Sequence, residues 1–175
     1  GYSSATAGII RVATSVGGAF TTRSPTMTSH GGTALYYDGA NFYCGCSNGN
    51  MYWRAKASAA TTNWTLISAS TTDTGFTTQI NDYFDPPTND MAAVGSSGRF
   101  AKTGSPVGGG LWTSQTITSA GSNNMFAVAY VAAWSKYYAG GTGRLSYSNN
   151  SNVTTGWTSM APAGFTQCQG FLVTV

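Results

Sequence analysis

Short stretches of alternating apolar and polar residues, separated by turn residues, recur along the chain. Residues 51–56, MYWRAK, alternate with the period of two that is typical of a half-buried β-strand. Asp-Gly at 38–39 and Asn-Gly at 48–49 are the dipeptides that favour tight hairpin turns between such strands. The apolar residues 125–134, MFAVAYVAAW, are rich in β-branched and aromatic side chains and favour a buried inner strand over a helix. The pattern predicts an all-β fold.

A longer phrase, two strands joined by a glycine turn and followed by a strand that opens on an aromatic residue, occurs four times. Its two parts lie at 94–103 and 111–116, at 140–148 and 156–160, more loosely at 45–53 and 63–68, and faintly at 5–15 and 19–23.

Two landmarks measure the period of this phrase. The turn glycines Gly8, Gly49, Gly98 and Gly143 are spaced by 41, 49 and 45 residues, and the aromatic residues Phe20, Trp64, Trp112 and Trp157 by 44, 48 and 45. A unit of about 40–50 residues with four short strands is the size of one β-propeller blade.

The sequence therefore predicts one domain, 1–175, that is a β-propeller of four repeats. Three repeats cover about 26–68, 69–116 and 117–160, and the fourth joins 161–175 to 1–25, so that strands from both chain ends complete one blade. Closure within one chain is the preferred interpretation because terminal strands are normally tied down. Pairing of the ends with neighbouring chains, or with sequence outside this chain, stays open.

Composition narrows the class of protein. Only 7% of the residues are charged and glutamate is absent, whereas 41% are hydrophobic and 13% aromatic. This excludes both a helix-rich charged surface and a disordered chain. The net charge of +3 comes without a basic run, so nucleic acid is not an expected partner, and no apolar stretch is long enough to span a membrane. The first residue, Gly1, suggests a processed or excerpted chain.

The three cysteines, Cys44, Cys46 and Cys168, are expected to be buried free thiols. Cys44 and Cys46 lie two residues apart on one strand face and cannot easily form a disulfide with each other, although Cys168 could pair with one of them.

The repeated phrase resembles the bacterial-neuraminidase-type repeat, or Asp-box, whose hairpin runs Ser-x-Asp-x-Gly-x-x-Trp. The residues that carry the resemblance are SYSNNSNVTTGW (146–157) and KTGSPVGGGLW (102–112), preceded by GGTGR and VGSSGR. No copy keeps the aspartate. The resemblance implies a sialidase-like β-propeller, of a kind that in degenerate form is familiar in phage tail and virion proteins. It also implies that Trp64, Trp112 and Trp157 pack between sheets.

Resemblance to sialidases would imply three arginines that bind a carboxylate, a tyrosine activated by a glutamate, and an aspartate that acts as an acid. The chain has no glutamate. Arg99 and Arg144 occupy equivalent positions after the turn glycine, which is typical of solvated strand ends. His30 lies in a His-Gly-Gly turn. No catalytic residue and no cofactor are predicted.

The longest irregular loop, NDYFDPPTND (81–90), is the best candidate for a contact surface, because irregular loops on rigid scaffolds carry function. Its candidate residues are Asp82, Tyr83, Phe84, Asp85 and Asp90. Asp82, Asp85 and Asp90 could also hold a calcium ion, although a solvated loop is the simpler interpretation. Asp38 and Asp73 are explained by turns.

Aromatic faces that could bind sugar rings are supplied by several further side chains. Tyr37 and Tyr137 are the leading candidates, and stacking between blades is the alternative for each ring. The others are Tyr36, Trp134 and Tyr138.

The sequence favours a non-enzymatic structural or attachment domain of a virion, tail fibre or cell surface, located outside the cell or on the virion. Its expected partners are other copies of itself or other surface proteins, and host glycans. A sialidase-like glycoside hydrolase and a soluble lectin are the alternatives.

Overall fold

The structure is a computed structural model in which antiparallel strands and short 3-10 turns make up the regular elements. It describes residues 7–8, 10–13, 15–22, 27–28, 31–59, 62–67, 76, 78–84, 90–103, 112–149, 153 and 156–172. Within these ranges no helix is long and apolar enough to cross a membrane.

The first described element is an irregular N-terminal hairpin of four two-residue strands. They are β1 (Ala7–Gly8), β2 (Arg11–Val12), β3 (Thr21–Thr22) and β4 (Met27–Thr28). Strand β2 pairs with β3 and β1 with β4, all antiparallel, so the chain runs out along β1 and β2 and returns along β3 and β4.

Three four-stranded antiparallel sheets follow, each a meander in chain order. The first sheet contains β5 (Gly32–Tyr37), β6 (Asn41–Cys46), β7 (Met51–Ala55) and β8 (Thr65–Leu66). The second contains β9 (Ile80–Phe84), β10 (Met91–Gly95), β11 (Arg99–Thr103) and β12 (Thr113–Thr116). The third contains β13 (Met125–Val131), β14 (Lys136–Gly141), β15 (Arg144–Ser148) and β16 (Trp157–Ser159).

The first strand of each four-stranded sheet carries a β-bulge at the same place. The extra residue is Thr33 in β5, Asn81 in β9 and Phe126 in β13. Bulges turn a side chain out of the regular alternation. The Thr33 hydroxyl donates to the carbonyl of Ile80 at 2.6 Å, and the Asn81 amide donates to the carbonyl of Met125 at 2.6 Å. The first strands of successive sheets are therefore tied start to start.

The apolar core is divided among three interfaces between successive units. One lies between the N-terminal hairpin and the first sheet, one between the first and second sheets, and one between the second and third. Trp64, Trp112 and Trp157 each belong to a different interface, and 4%, 4% and 6% of their surfaces are exposed. The prediction that the repeated tryptophans are packing residues is confirmed.

The fourth aromatic landmark behaves differently. Phe20 lies beside β3, and 70% of its surface is exposed. Gly8, the fourth glycine landmark, lies within β1 and not in a turn. Gly49, Gly98 and Gly143 have positive φ angles of 87°, 67° and 59°, as their turns require.

The prediction of an all-β fold with recurring four-stranded units is confirmed. In the described residues the N-terminal strands pair only with one another. The C-terminal residues 161–172 form no strand, and Gln167 makes a single bridge to Thr142 at the end of the third sheet. The predicted sheet built from both chain ends is therefore not present among these residues, and Val173–Val175 lie outside them.

We predict that Gly49→Ala destabilises the fold more than Gly39→Ala, a matched control. Both glycines have positive φ, 87° and 98°, and an alanine in that region costs about 1–2 kcal/mol. A Cβ on Gly39 meets open space, whereas one on Gly49 lies 2.3 Å from the Phe76 carbonyl oxygen. That clash adds about 1–3 kcal/mol. Urea unfolding of the two variants measures the difference, and equal losses would contradict the close approach.

Candidate functional site

The turns between the first and second strands of the three sheets emerge on one edge of the molecule. The bonds from Thr33 to Ile80 and from Asn81 to Met125 join strand starts, so the three first strands run in the same direction and end at the same edge. Among the described residues, 37–41, 84, 90–91 and 131–136 form this hairpin-turn edge. It includes Tyr37 and both ends of the predicted contact loop.

Tyr37 provides an exposed aromatic surface at this edge. Its ring stacks on Phe42 with 4.6 Å between centroids, and its hydroxyl donates to the Gly39 carbonyl. The Lys56 ammonium lies 5.6 Å from the centroid of the Tyr37 ring, within cation–π range. A flat aromatic face beside a cation and a hydroxyl is a suitable surface for a polar ring-shaped ligand.

Asp38, the next residue, is used by the turn. Its carboxylate accepts hydrogen bonds from the Ala40 and Asn41 backbone N–H groups at 2.8 and 2.6 Å and from the Tyr43 hydroxyl at 2.8 Å. Partial burial works to raise the pKa of Asp38, but these bonds together hold it below the usual aspartate range. The prediction that Asp38 has a turn role agrees with this geometry.

The predicted contact loop divides into buried and surface parts. Asp82 points at the third sheet and accepts a hydrogen bond from the Val128 N–H at 3.2 Å, and burial raises the pKa of Asp82. Tyr83 is buried in the interface between the first and second sheets, and burial raises the pKa of Tyr83 well above its usual value. Tyr83 is therefore a core residue and is unavailable to a ligand. Phe84 ends β9, while its side chain and Asp85 lie outside the described residues.

Asp90 lies at the far end of the loop and forms an ion pair with Lys102, with 3.1 Å between Nζ and Oδ2. The same ammonium lies 5.8 Å from the ring centroid of Tyr137 in the next sheet. Tyr137 itself is almost completely buried and stacks edge-on against Phe100. The sequence-based choice of Tyr137 as a contact residue is therefore wrong, and the alternative, stacking between sheets, is correct.

The predicted calcium ligands do not converge in the described part of the chain. Asp82 pairs with Val94 across the sheet, and Asp90 lies four residues before Val94, a separation of roughly 13 Å along an extended strand. Their carboxylates serve different partners, Val128 and Lys102. No group of three candidate metal ligands is present among the described residues.

The third sheet contributes aromatic side chains beyond the leading sequence candidates. Trp134, in the turn after β13, is 64% exposed and lies 5.9 Å from the Tyr138 ring, which in turn lies 6.1 Å from Tyr147. Lys136 sits over the Tyr147 ring at 4.2 Å. The sequence marked Trp134 and Tyr138, but Tyr147 and the three lysines carry no local signal, because only the sheet pairing brings them to the aromatic rings.

The remaining candidates lie elsewhere. Arg99 and Arg144 begin β11 and β15 at the edge opposite the hairpin turns, and both are half-buried. Their equivalence is confirmed. His30 and Asp73 fall outside the described residues.

All three cysteines are free thiols, as expected, and Cys44 and Cys46 lie buried side by side under the N-terminal hairpin. The hydrogen bond with the Cys44 thiol and burial raise the pKa of Cys46. Cys168 is only half-buried.

Comparison with known proteins identifies a fold but no family. No family model matches the chain, and no curated protein matches it significantly. Among solved structures, a chain in the crystal structure of the mitotic checkpoint complex is similar over 90% of this chain, with a TM-score of 0.65 and 10% identity. The computationally designed Ika8 protein is similar over 89%, with a TM-score of 0.59 and 11% identity. The chain spans 47% and 44% of these structures, less than half of each.

We predict opposite pH dependence for Asp38→Asn and Asp82→Asn. The lowered pKa of Asp38 means that its carboxylate stabilises the fold above the unfolded-state pKa, and that this contribution disappears as pH falls. Asp38→Asn should therefore destabilise the protein at pH 7, and the difference should shrink towards about pH 3.

The raised pKa of Asp82 has the opposite effect on the pH dependence of stability. The buried carboxylate is destabilising when charged, so its contribution to the stability of the fold improves as pH falls. Asp82→Asn keeps an acceptor for Val128 and should be neutral or stabilising at pH 7, with no advantage near pH 3. Urea unfolding at both pH values tests the pair. Parallel pH profiles for the two variants would contradict these assignments.

Proposed function

We propose that the chain is a non-enzymatic attachment domain of β-propeller type, and that its hairpin-turn edge contacts glycans. The proposal rests on the aromatic and cationic side chains that lie together on that edge. Lys56 lies beside Tyr37, Lys102 beside Tyr137 and Lys136 beside Tyr147, so that each sheet supplies one lysine near an aromatic ring. Of these residues, Tyr37 is the exposed one, with 38% of its surface accessible, whereas Tyr137 is buried and Tyr147 is half-buried.

The propeller interpretation is supported by the repetition of the sheets. Three meanders of four strands share one connectivity, one bulge position and one tryptophan position, and their first strands are tied start to start. Successive blades around a common centre have this arrangement.

The non-enzymatic interpretation is supported by the use of the carboxylates. Glycoside hydrolysis needs two carboxyl groups that face one substrate bond, with one pKa raised and the other low. Asp38 caps a turn, Asp82 holds the Val128 N–H and Asp90 pairs with Lys102, so each described carboxylate serves a structural partner. This favours attachment over the sialidase-like alternative.

The setting outside the cell or on a virion, tail fibre or cell surface is part of the same proposal. It rests on the resemblance of the repeats to Asp-box repeats and on the low content of charged residues, 7%. A surface of Ser, Thr, Asn and Tyr offers many hydrogen-bonding groups for sugars or for neighbouring proteins.

We predict that Tyr37→Ala weakens glycan binding about fivefold, because it removes a stacking face worth about 1 kcal/mol. The matched control is Leu35→Ala, which truncates another exposed side chain on the same face of β5, away from the turn. Binding of the wild type and both variants to an immobilised oligosaccharide array is the measurement.

Wild-type binding that falls in Tyr37→Ala and persists in Leu35→Ala supports the proposal. An equal loss in both variants, or no glycan bound by the wild type, contradicts the glycan assignment. Release of sugar from sialosides or from the array would replace attachment with hydrolysis.

A further inference from the structure

The interfaces between successive units share one pairing of side chains. In each interface the aromatic residue at the start of the fourth strand shares an apolar cluster with a residue at or beside the start of the third strand of the preceding unit. Trp157 packs on Phe100, with 5.0 Å between ring centroids. Trp112 and Met51 belong to one buried cluster, and Ile10 packs on the cluster that contains Trp64.

Strand register identifies the next member of each series. Gly45 pairs with Met51, Val94 with Phe100 and Gly140 with Leu145, so Leu145 is the third-sheet equivalent of Met51 and Phe100. Met51 and Phe100 are fully buried, whereas Leu145 is only half-buried. At the other end Phe20 is the equivalent of the tryptophans and is 70% exposed. The molecule thus presents one unmatched half of the pairing at each end.

The face of the third sheet around Leu145 has the character of an interface. Tyr138 is the equivalent of Tyr43, which the second sheet buries completely, yet Tyr138 is only half-buried. Trp134 and Tyr147 lie beside it. We call Trp134, Tyr138, Leu145 and Tyr147 the C-terminal end face, and Phe20 with its hairpin the N-terminal end face.

The C-terminal segment occupies the position where a further first strand would start. A Cβ on Gly45 would meet Ile80 and Tyr83 of the next sheet, and a Cβ on Gly140 would meet Cys168 and Phe171. Ile80 and Tyr83 are three residues apart in the sequence, and so are Cys168 and Phe171. In the described part of the chain this segment has no second, third or fourth strand beside it, and the N-terminal hairpin has no inner strand beside it.

We propose that two copies of this chain assemble head to tail, with Phe20 of one copy packed on Leu145 of the other. Each C-terminal segment then lies beside the partner's N-terminal hairpin, and two identical contacts close a ring of two chains. A second copy is the occupant because each end face repeats a half of the interfaces already buried inside the chain. This inference goes beyond the attachment function and does not depend on it.

The test is a disulfide cross-link in a Cys168→Ser background, which leaves only the buried Cys44 and Cys46 as other thiols. Phe20→Cys and Leu145→Cys proteins are prepared separately, mixed and oxidised. We expect a covalent dimer on non-reducing gels from the mixture and from neither protein alone. Thr113→Cys mixed with Leu145→Cys is the control, because Thr113 is exposed on the second sheet, which lies between the other two sheets and belongs to neither end face.

A protein with both Phe20→Cys and Leu145→Cys separates closure between chains from closure within one chain. A cross-linked dimer supports the proposal, whereas a monomer with an internal disulfide overturns it in favour of a single-chain ring. Light scattering of the wild type should give twice the mass of one chain. A monomer without cross-links, or an open series of larger oligomers, also overturns the proposal. Circular dichroism establishes that each variant is folded, and both positions are outside the fully buried core.

Discussion

The burial of one aromatic side chain in each interface, in a cluster with an apolar residue near the start of the third strand of the preceding unit, holds this molecule together. A four-stranded sheet with few charges has two faces to cover, and no long helix is present among the described residues to cover either. The sheets therefore cover one another. Trp112 and Trp157 belong to interfaces on opposite faces of the second sheet, which is why strand β10 is buried along its whole length.

This mutual covering explains how the polar groups are used. The first strands approach so closely that a bulge must turn Thr33 and Asn81 toward the backbone carbonyls of the next sheet. Asp82 is drawn into the same contact by the Val128 N–H. Buried polar groups need partners, so these side chains serve the assembly of sheets. Exposed aromatic and cationic groups are left to the hairpin-turn edge and the end faces.

The repeats made the fold readable from sequence, because the tryptophans and turn glycines recur at matching intervals. The candidate contact site was harder to predict from the sequence. Tyr83 and Tyr137 look like exposed tyrosines in a period-two pattern, but each lies on a sheet face that a neighbouring sheet covers, and alternation cannot reveal which face is covered. Tyr37 lies at the last position of its strand, beside the turn, and pairs with Phe42 on the side of the N-terminal hairpin. Likewise, nothing local to Phe20 marks it as exposed, since its environment depends on what lies beyond the hairpin.

The shared pairing of side chains also bears on how such a chain can change in length. Every unit offers an apolar residue near the start of its third strand to the unit that follows. It also packs an aromatic residue from the start of its fourth strand against the unit before it. Duplication or deletion of one whole unit of about 45 residues, cut at equivalent turns, would leave each surviving contact matched. Insertion of a partial unit would instead leave either the aromatic residue or the apolar residue of one pair exposed to water. Length in this architecture is therefore inherited in whole units.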